Sequence, residues 1–376
     1  MILCQMKISF CTYTYKDARL ANELLHHSYS WNIKLNERIV VDDGSPDAFT
    51  SDLGDVRIIR FNDNKGVGKA KETGISGCSG DVILSMDCDI RIDPNWLNSA
   101  LPLALEKDTG IVGAPIISDA GEGITASYER AFMDFGYNHD QPDFLTGGLW
   151  LMRRETWMKT GGFAGYQGRT HEDHRFCKRV RELGLALRVC PPAARQVRRL
   201  HYTDVVRRLG KWLQPNLGSI ITGQSQIADL MLLATESMLK RLGWAVEQGK
   251  TIFGYIEMLV IINTALCYAD ILESKNRAEP VSHRALNRVL LETFSGYPRL
   301  LALLLKDLPK VRPIHLTRDK SKIASSENSD FPFWKDQFTQ SLSALPPALF
   351  KYIENNATEI LAEDASAQDY SFYSEL

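Results

Sequence analysis

The sequence predicts an α/β fold: a mainly parallel sheet with helices on both faces, followed by a mostly α-helical C-terminal region. Three features point there. Short β-rich runs alternate with helical patterns through the first half of the 376-residue chain. Those runs are apolar almost throughout, as strands covered on both faces tend to be. Beyond about residue 215, helical periodicity continues with no further β-rich run.

The elements follow in order. "KISFCT" (7–12) reads as the first strand, and "DARLANELLHH" (17–27) as a helix with Leu20, Leu24 and Leu25 on one side. "RIVVDD" (38–43) and "VRIIRF" (56–61) are the next strands, "GKAKETGISGC" (68–78) a helix, and "DVILSMD" (81–87) the fourth strand. "DPNWLNSALPLALE" (93–106) opens a helix with Asp93 at its cap and Pro94 in its first turn, and Pro102 must kink or shorten it. "GIVGAPII" (110–117) and "FLTGGLWLMRR" (144–154) lead to the helix "HEDHRFCKRVRELG" (171–184), where Phe176, Val180 and Leu183 share a face, and then to "LALRVC" (185–190). The organisation expected is a first domain at 1–214 and a helical domain at 215–376. The second contains a polar linker near 312–332 and ends in an acidic tail.

A net charge of −2 and near-average composition describe a globular protein and exclude a nucleic-acid binder. Seven cysteines without C-x-x-C spacing argue for reduced thiols, hence a cytoplasmic chain without a structural zinc site. The N-terminus has no basic start and apolar stretch of a signal peptide. "MLVIINTALCYA" (258–269) falls short of the roughly 20 apolar residues of a membrane span, so a buried helix is expected. Between Arg153 and Lys211, fifteen Lys and Arg face five Asp and Glu. Within it, the cluster of Arg198, Arg199, Arg207, Arg208 and Lys211 around His201 is either a solvated face or a grip for a diphosphate or a phosphorylated or lipid-linked acceptor.

Polar clusters fall at the carboxyl ends of three strands, where parallel sheets place their ligand crevice: "CTYTY", "DDGSPD" and "DCD". Asp87 and Asp89, at i and i+2, are expected to face one crevice with Cys88 turned away. Two such carboxylates suit a hard divalent cation, Mn²⁺ or Mg²⁺, shared with phosphates; the plain alternative is a pair of solvated turn residues. Asp43 can accept a hydrogen bond from a uracil N3–H, though Asp-Gly-Ser-Pro is also an ordinary turn. "DNKGVGKAKETGI" (63–75) is no phosphate loop, since Asp63 stands where G-x-x-x-x-G-K-[ST] needs glycine and Ala70 where it needs a hydroxyl. In "GRTHEDHRF", Glu172 and Asp173 sit in a helix first turn. Asp173 there is either a capping-box partner of Thr170 or a general base, and the two roles can be divided with Glu172. His201 is an ordinary histidine unless its loop returns to the Asp pair as a third metal ligand.

In combination, "ISFCTYTYKDARL", "IVVDDGSPD", "NKGVGKAKETGISGCSGDVILSMDCD", "TGGLWLMRRETWMKTGGF" and "HEDHRFCKRVRELG" resemble, in order, the family 2 glycosyltransferases of the GT-A fold. The resemblance implies an inverting transfer from a nucleotide-diphosphate sugar, with a UDP-sugar expected. Thr12, Tyr13, Asp43, Lys69 and Asp87 would bind the nucleotide. Asp89, Asp87 and His201 would hold Mn²⁺ or Mg²⁺. Gly147, Gly148 and Trp150 would lie against sugar and acceptor, and Asp173 would be the base with Glu172 in support. The first-strand segment departs from the family's "IPTYN", and "DCDIRI" lacks the further acidic residue often found after the motif. The acceptor is a saccharide, a lipid-linked molecule or a peptide, and the helical half serves acceptor recognition, a peripheral membrane contact or a homodimer. Competing readings are a haloacid-dehalogenase-type DxD phosphatase, which Ile90 and Arg91 fit poorly, and a sugar-nucleotide pyrophosphorylase, whose glycine-rich turn is missing. A non-catalytic scaffold retaining the fold is the third.

Overall fold

A computed structural model describes residues 6–119, 123–137, 142–164, 172–213, 240–276, 290–311 and 347–366. The chain divides into two compact units: Met1–Glu122 with Ala126–Arg198, and Gly123–Thr125 with Arg199–Leu376.

The first unit is built on seven strands, β1 (Ile8–Thr14), β2 (Glu37–Asp42), β3 (Val56–Arg60), β4 (Val82–Asp87), β6 (Thr109–Gly113), β8 (Leu149–Arg153) and β9 (Ala186–Val189), in the order β3-β2-β1-β4-β8-β6-β9. β1 pairs in parallel with β2 and β4, and β2 with β3, as the alternating pattern predicts. β8 runs antiparallel to β4 and β6, an insertion the sequence pattern does not announce. A second sheet of three short strands, β5 (Ile90–Arg91), β7 (Ile116–Ser118) and β10 (Ala194–Gln196), follows the order β5-β10-β7.

Both faces of the large sheet are covered, which is why its strands are apolar at consecutive positions. Phe10, Val40, Leu84 and Met86 pack with Leu20, Leu24 and Leu25 of α1 (Ala18–His27) and with Trp96, Leu97 and Leu101 of α3 (Trp96–Leu105). The alternate residues Cys11, Ile39 and Ile83 pack on the other face with Ile75 of α2 (Val67–Gly77), Trp157 of α5 (Arg154–Thr160), and Phe176 and Val180 of α6 (Glu172–Glu182). A further helix, α4 (Ile124–Tyr137), lies between β7 and β8 in the chain. Leu183 is exposed and outside α6, so the apolar stripe of that helix is one residue shorter than its period predicts. α3 begins at Trp96, three residues later than expected, because Asp93 and Pro94 form its lead-in: the Asn95 amide donates to the Asp93 carboxylate at 2.8 Å. Pro102 lies inside α3, which ends three residues further on.

In the second unit the described residues are mostly helical, among them Tyr202–Leu213, Thr251–Asn276, Pro298–Val311, Pro347–Asn355 and Ala357–Ser366. Tyr202–Leu213, expected in the first domain, falls in this unit. The stretch 258–269 lies within Thr251–Asn276, and Ile252 to Asn263 are buried on every side. Among the described residues no helix is long and apolar enough to cross a membrane. Buried polar groups tie this unit together, the hydroxyls of Tyr202 and Tyr255 each donating to Asp307 at 2.8 Å. The linker at 312–332 and most of the acidic tail lie outside the described residues.

Candidate active site

The site of the first unit forms where β1, β2 and β4 end and the turn into β8 crosses them. Tyr13 and Asp87 are register partners on adjacent strands, so both point to the face covered by α2 and α6. Strand alternation turns Thr12 to the opposite face, where it is fully buried.

β4 ends at Asp87, and its amide donates to Gly148 O at 3.0 Å. That bond seats the 147–148 turn against the end of the central strand. Asp87 Oδ1 is buried and has no hydrogen-bond partner. Burial, then the charges of Asp89 and Glu172, push its carboxyl well above the ordinary range, with Arg198 opposing the shift. Such a carboxylate calls for a cation or a donor from outside the chain.

Asp89 is differently placed. It follows a turn at Cys88, and its Oδ2 accepts from Arg198 Nε at 2.7 Å and from Gln196 Nε2 at 3.3 Å. Burial works against ionising Asp89, but the Arg198 guanidinium outweighs it and holds the carboxyl below its usual value. Arg198 also reaches Asp17, just before α1, at 2.7 Å. The acidic pair therefore does not share one environment: Asp89 has a resident counter-charge, and Asp87 Oδ1 lacks a partner.

Asp43 is buried after β2 and accepts from the Lys65 amide at 2.8 Å and the Gly66 amide at 3.0 Å. Amides at the N-terminus of α2, which a phosphate loop would offer to a ligand, are thus directed at this carboxylate. Burial raises the Asp43 carboxyl above its usual value, against the pull of those two amides. The turn that follows Asp43 demands glycine at 44, where φ is +73° and a Cβ would stand 2.4 Å from the Asp63 carbonyl carbon.

Beneath the 147–148 turn lies a buried ion pair: Lys71 Nζ of α2 meets Glu172 Oε1 of α6 at 3.0 Å. The ammonium lies 5.3 Å from the centroids of both the Tyr13 and Trp150 rings. Glycine at 147 makes room for it, since a Cβ there would stand 2.2 Å from Nζ. Asp173 is half-buried; its Oδ2 accepts from the Gly147 amide at 3.1 Å and its Oδ1 from the His174 amide at 2.8 Å. The capping partner expected for Asp173, Thr170, lies outside the described residues.

The structure thus brings together Tyr13, Asp87, Gly147, Gly148, Glu172 and Asp173, with Asp43 and Asp89 at neighbouring strand ends. Of the other expected residues, Lys69 and Trp150 stand outside this group. Lys69 is exposed and pairs with Glu72 at 2.8 Å; Lys71, two residues on, is the lysine beneath the 147–148 turn. Trp150 is fully buried among Phe163 and Phe176, so it supports the site from within the core. His201 belongs to the second unit, where its Nδ1 lies 2.7 Å from Thr203 Oγ1. Among the described residues no group of three or more His, Cys, Asp or Glu side chains is placed to hold a metal ion. Sequence reasoning passed over Lys71, Asp17 and Gln196. Lys71 carried a signal, because it lies on the stripe of Gly68, Gly74 and Ile75 that α2 buries.

Known proteins were compared with the chain. A model of the family described as "Glycosyl transferase family 2" matches residues 9–172. A pre-mycofactocin glycosyltransferase of Mycobacterium tuberculosis is 28% identical over 169 residues, covering 41% of this chain and 36% of the relative. A glucosyl-dolichyl phosphate glucuronosyltransferase of Haloferax volcanii is 22% identical over 186 residues, covering 45% and 59%. The chain thus spans between about a third and three-fifths of the length of these relatives. Among solved structures, the mannosyltransferase PcManGT from Pyrobaculum calidifontis, in complex with GDP-Man and Mn²⁺, is similar at 16% identity and a TM-score of 0.43, covering 81% of this chain and 87% of that one. The strand-end carboxylates, the 147–148 turn and Glu172 of the first unit all fall within residues 9–172, the stretch that matches the model of glycosyl transferase family 2.

Proposed function

We propose that the chain is an inverting glycosyltransferase that moves a sugar from a nucleotide-diphosphate donor, a UDP-sugar, to an acceptor hydroxyl, amine or thiol. One observation carries the reading: Asp87 Oδ1, buried and unpartnered at the end of the central strand, on the face that also presents Asp173. Relatives that are themselves sugar transferases support it.

The residues fit a divalent ion through Asp87, whose open oxygen can take a cation, with Asp89 beside it in the motif. Held there, Mn²⁺ or Mg²⁺ would act as a Lewis acid toward the departing diphosphate. Asp43 and Tyr13 would line the nucleotide, Asp43 keeping a lone pair on each oxygen beyond the amides it already accepts. Asp173 is the base. Glu172 is committed to Lys71, whereas Asp173 is half-exposed and aimed by the amides of Gly147 and His174, with lone pairs left to receive the acceptor proton. Gly147 and Gly148 keep side chains out of the space between base and strand end. We assign the helical C-terminal region to acceptor recognition or dimerisation.

Calorimetric titration of UDP, GDP and dTDP, with and without Mn²⁺, tests this on wild type, Asp87→Ala and Asp89→Ala. Metal-dependent UDP binding that both substitutions abolish is the expected result. Absence of nucleotide binding under every condition would overturn the donor site and leave the scaffold reading.

A further inference from the structure

We infer that Arg198 competes with a divalent cation for Asp89: anchored on Asp17, its guanidinium is a built-in counter-ion that must yield Asp89 Oδ2 before metal can take it. The inference rests on the donor site proposed above.

The contact is constructed by the backbone. β10 pairs antiparallel with β5 immediately after the acidic pair, Gln196 opposite Ile90, and the Val197 amide donates to Asp89 O at 2.8 Å. Arg198, the next residue, is delivered to the acidic turn. Its Nε donates to Asp89 Oδ2 and its Nη1 contacts Asp17 Oδ2, each at 2.7 Å. All three side chains are at most 15% exposed, so solvent screening is weak and the guanidinium is a strong occupant. Gln196 Nε2 points a further N–H at the same oxygen. A metal ion needs lone pairs, and at Oδ2 they face N–H donors, one of them cationic. Arg198 and a divalent ion repel one another, so both do not hold that oxygen together. Asp87, by contrast, is open. Cation binding is therefore graded, with Asp87 available at once and Asp89 Oδ2 only after Arg198 moves aside.

The test is Mn²⁺ affinity of the full chain, read from the electron paramagnetic resonance signal of free Mn²⁺, for wild type, Arg198→Gln, Arg198→Lys and Asp89→Asn. Charged hydrogen bonds of this kind correspond to roughly tenfold or more in an equilibrium constant. Arg198→Gln is expected to bind Mn²⁺ tighter than wild type by about that factor. Arg198→Lys should fall between, because an ammonium does not fork across two carboxylates. Adding Asp89→Asn should erase the gain. Should Arg198→Gln fail to fold, judged by circular dichroism, Arg198→Lys carries the comparison. Equal or weaker Mn²⁺ binding by the arginine variants overturns the inference. UDP titrations in Mn²⁺ separate the two readings. UDP bound without any gain from Arg198→Gln removes only the competition, and a gain without UDP binding removes only the donor site. No Mn²⁺ bound by any variant, with or without UDP, overturns the competition and the metal assignment together.

Discussion

Lys71→Met tests whether the site rests on a buried charge pair. Methionine keeps the length of the side chain and removes the ammonium that meets Glu172 Oε1 at 3.0 Å. The two side chains are 3% and 6% exposed, so water reaches neither partner. At that separation and an effective dielectric constant of about 20, the mutual attraction is on the order of 5 kcal/mol, and most of it offsets the cost of desolvating both ions. The pair thus contributes little net stability. Removing one member is another matter, because it leaves Glu172 buried opposite a thioether, at a cost of about 3–5 kcal/mol. Glu172→Leu alone should cost a similar amount, and Lys71→Met with Glu172→Leu only roughly 1 kcal/mol, so the double-mutant coupling is at least about 5 kcal/mol. Urea unfolding followed by tryptophan fluorescence measures all four, and Trp150, whose ring centroid lies 5.3 Å from Lys71 Nζ, is one of the seven tryptophans that contribute to the signal. Additive losses, or a loss below about 1 kcal/mol for Lys71→Met, would refute the buried-pair argument.

Other consequences follow from the same geometry. Gly147→Ala puts a methyl 2.2 Å from where Lys71 Nζ sits and so displaces the ammonium; the folded variant should lose roughly a hundredfold in sugar transfer, measured as nucleotide release, and Lys71→Ala should lessen that clash. Asp173→Asn should abolish transfer while leaving UDP binding intact, and surviving transfer would refute its role as base. Burial opposes ionising Asp42, but the amide of Phe49, the amide and hydroxyl of Ser45 and the Arg60 guanidinium hold its carboxyl below the usual value. A lowered carboxyl stabilises the fold above the unfolded value of about 3.9 and loses that contribution as pH falls through the folded value. Asp42→Asn should therefore cost about 1–3 kcal/mol at pH 7 and progressively less below about pH 4, which urea unfolding across that range measures.

The parallel core of the sheet was legible because each of its strands carries its own evidence. Val40 and Ile39 bury on opposite faces, so a continuous apolar run is the local mark of a strand with helices on both sides. β8 had no such mark of position. Its place between β4 and β6 depends on partners such as Val82 opposite Arg153, far apart in sequence and invisible to local periodicity. The strands of the small sheet are two or three residues long, below the length at which alternation can be read.

Charges divide along the same line. Two acidic residues at the end of an apolar strand announce that a counter-charge is required, and Asp87 and Asp89 were found on that ground. Which counter-charge answers is decided by tertiary structure. Arg198 is legible only as one of a basic cluster with Arg199, Arg207, Arg208 and Lys211, and nothing local ties it to Asp89. Only the pairing of β10 with β5 brings it to Asp89. Lys71 was within reach of the sequence, because a lysine on the buried stripe of α2 requires a carboxylate just as an aspartate at a buried strand end requires a cation. Reading buried cations with the attention given to buried carboxylates would have paired Lys71 with an acid of another element. It would also have placed Lys71, not Lys69, beneath the 147–148 turn.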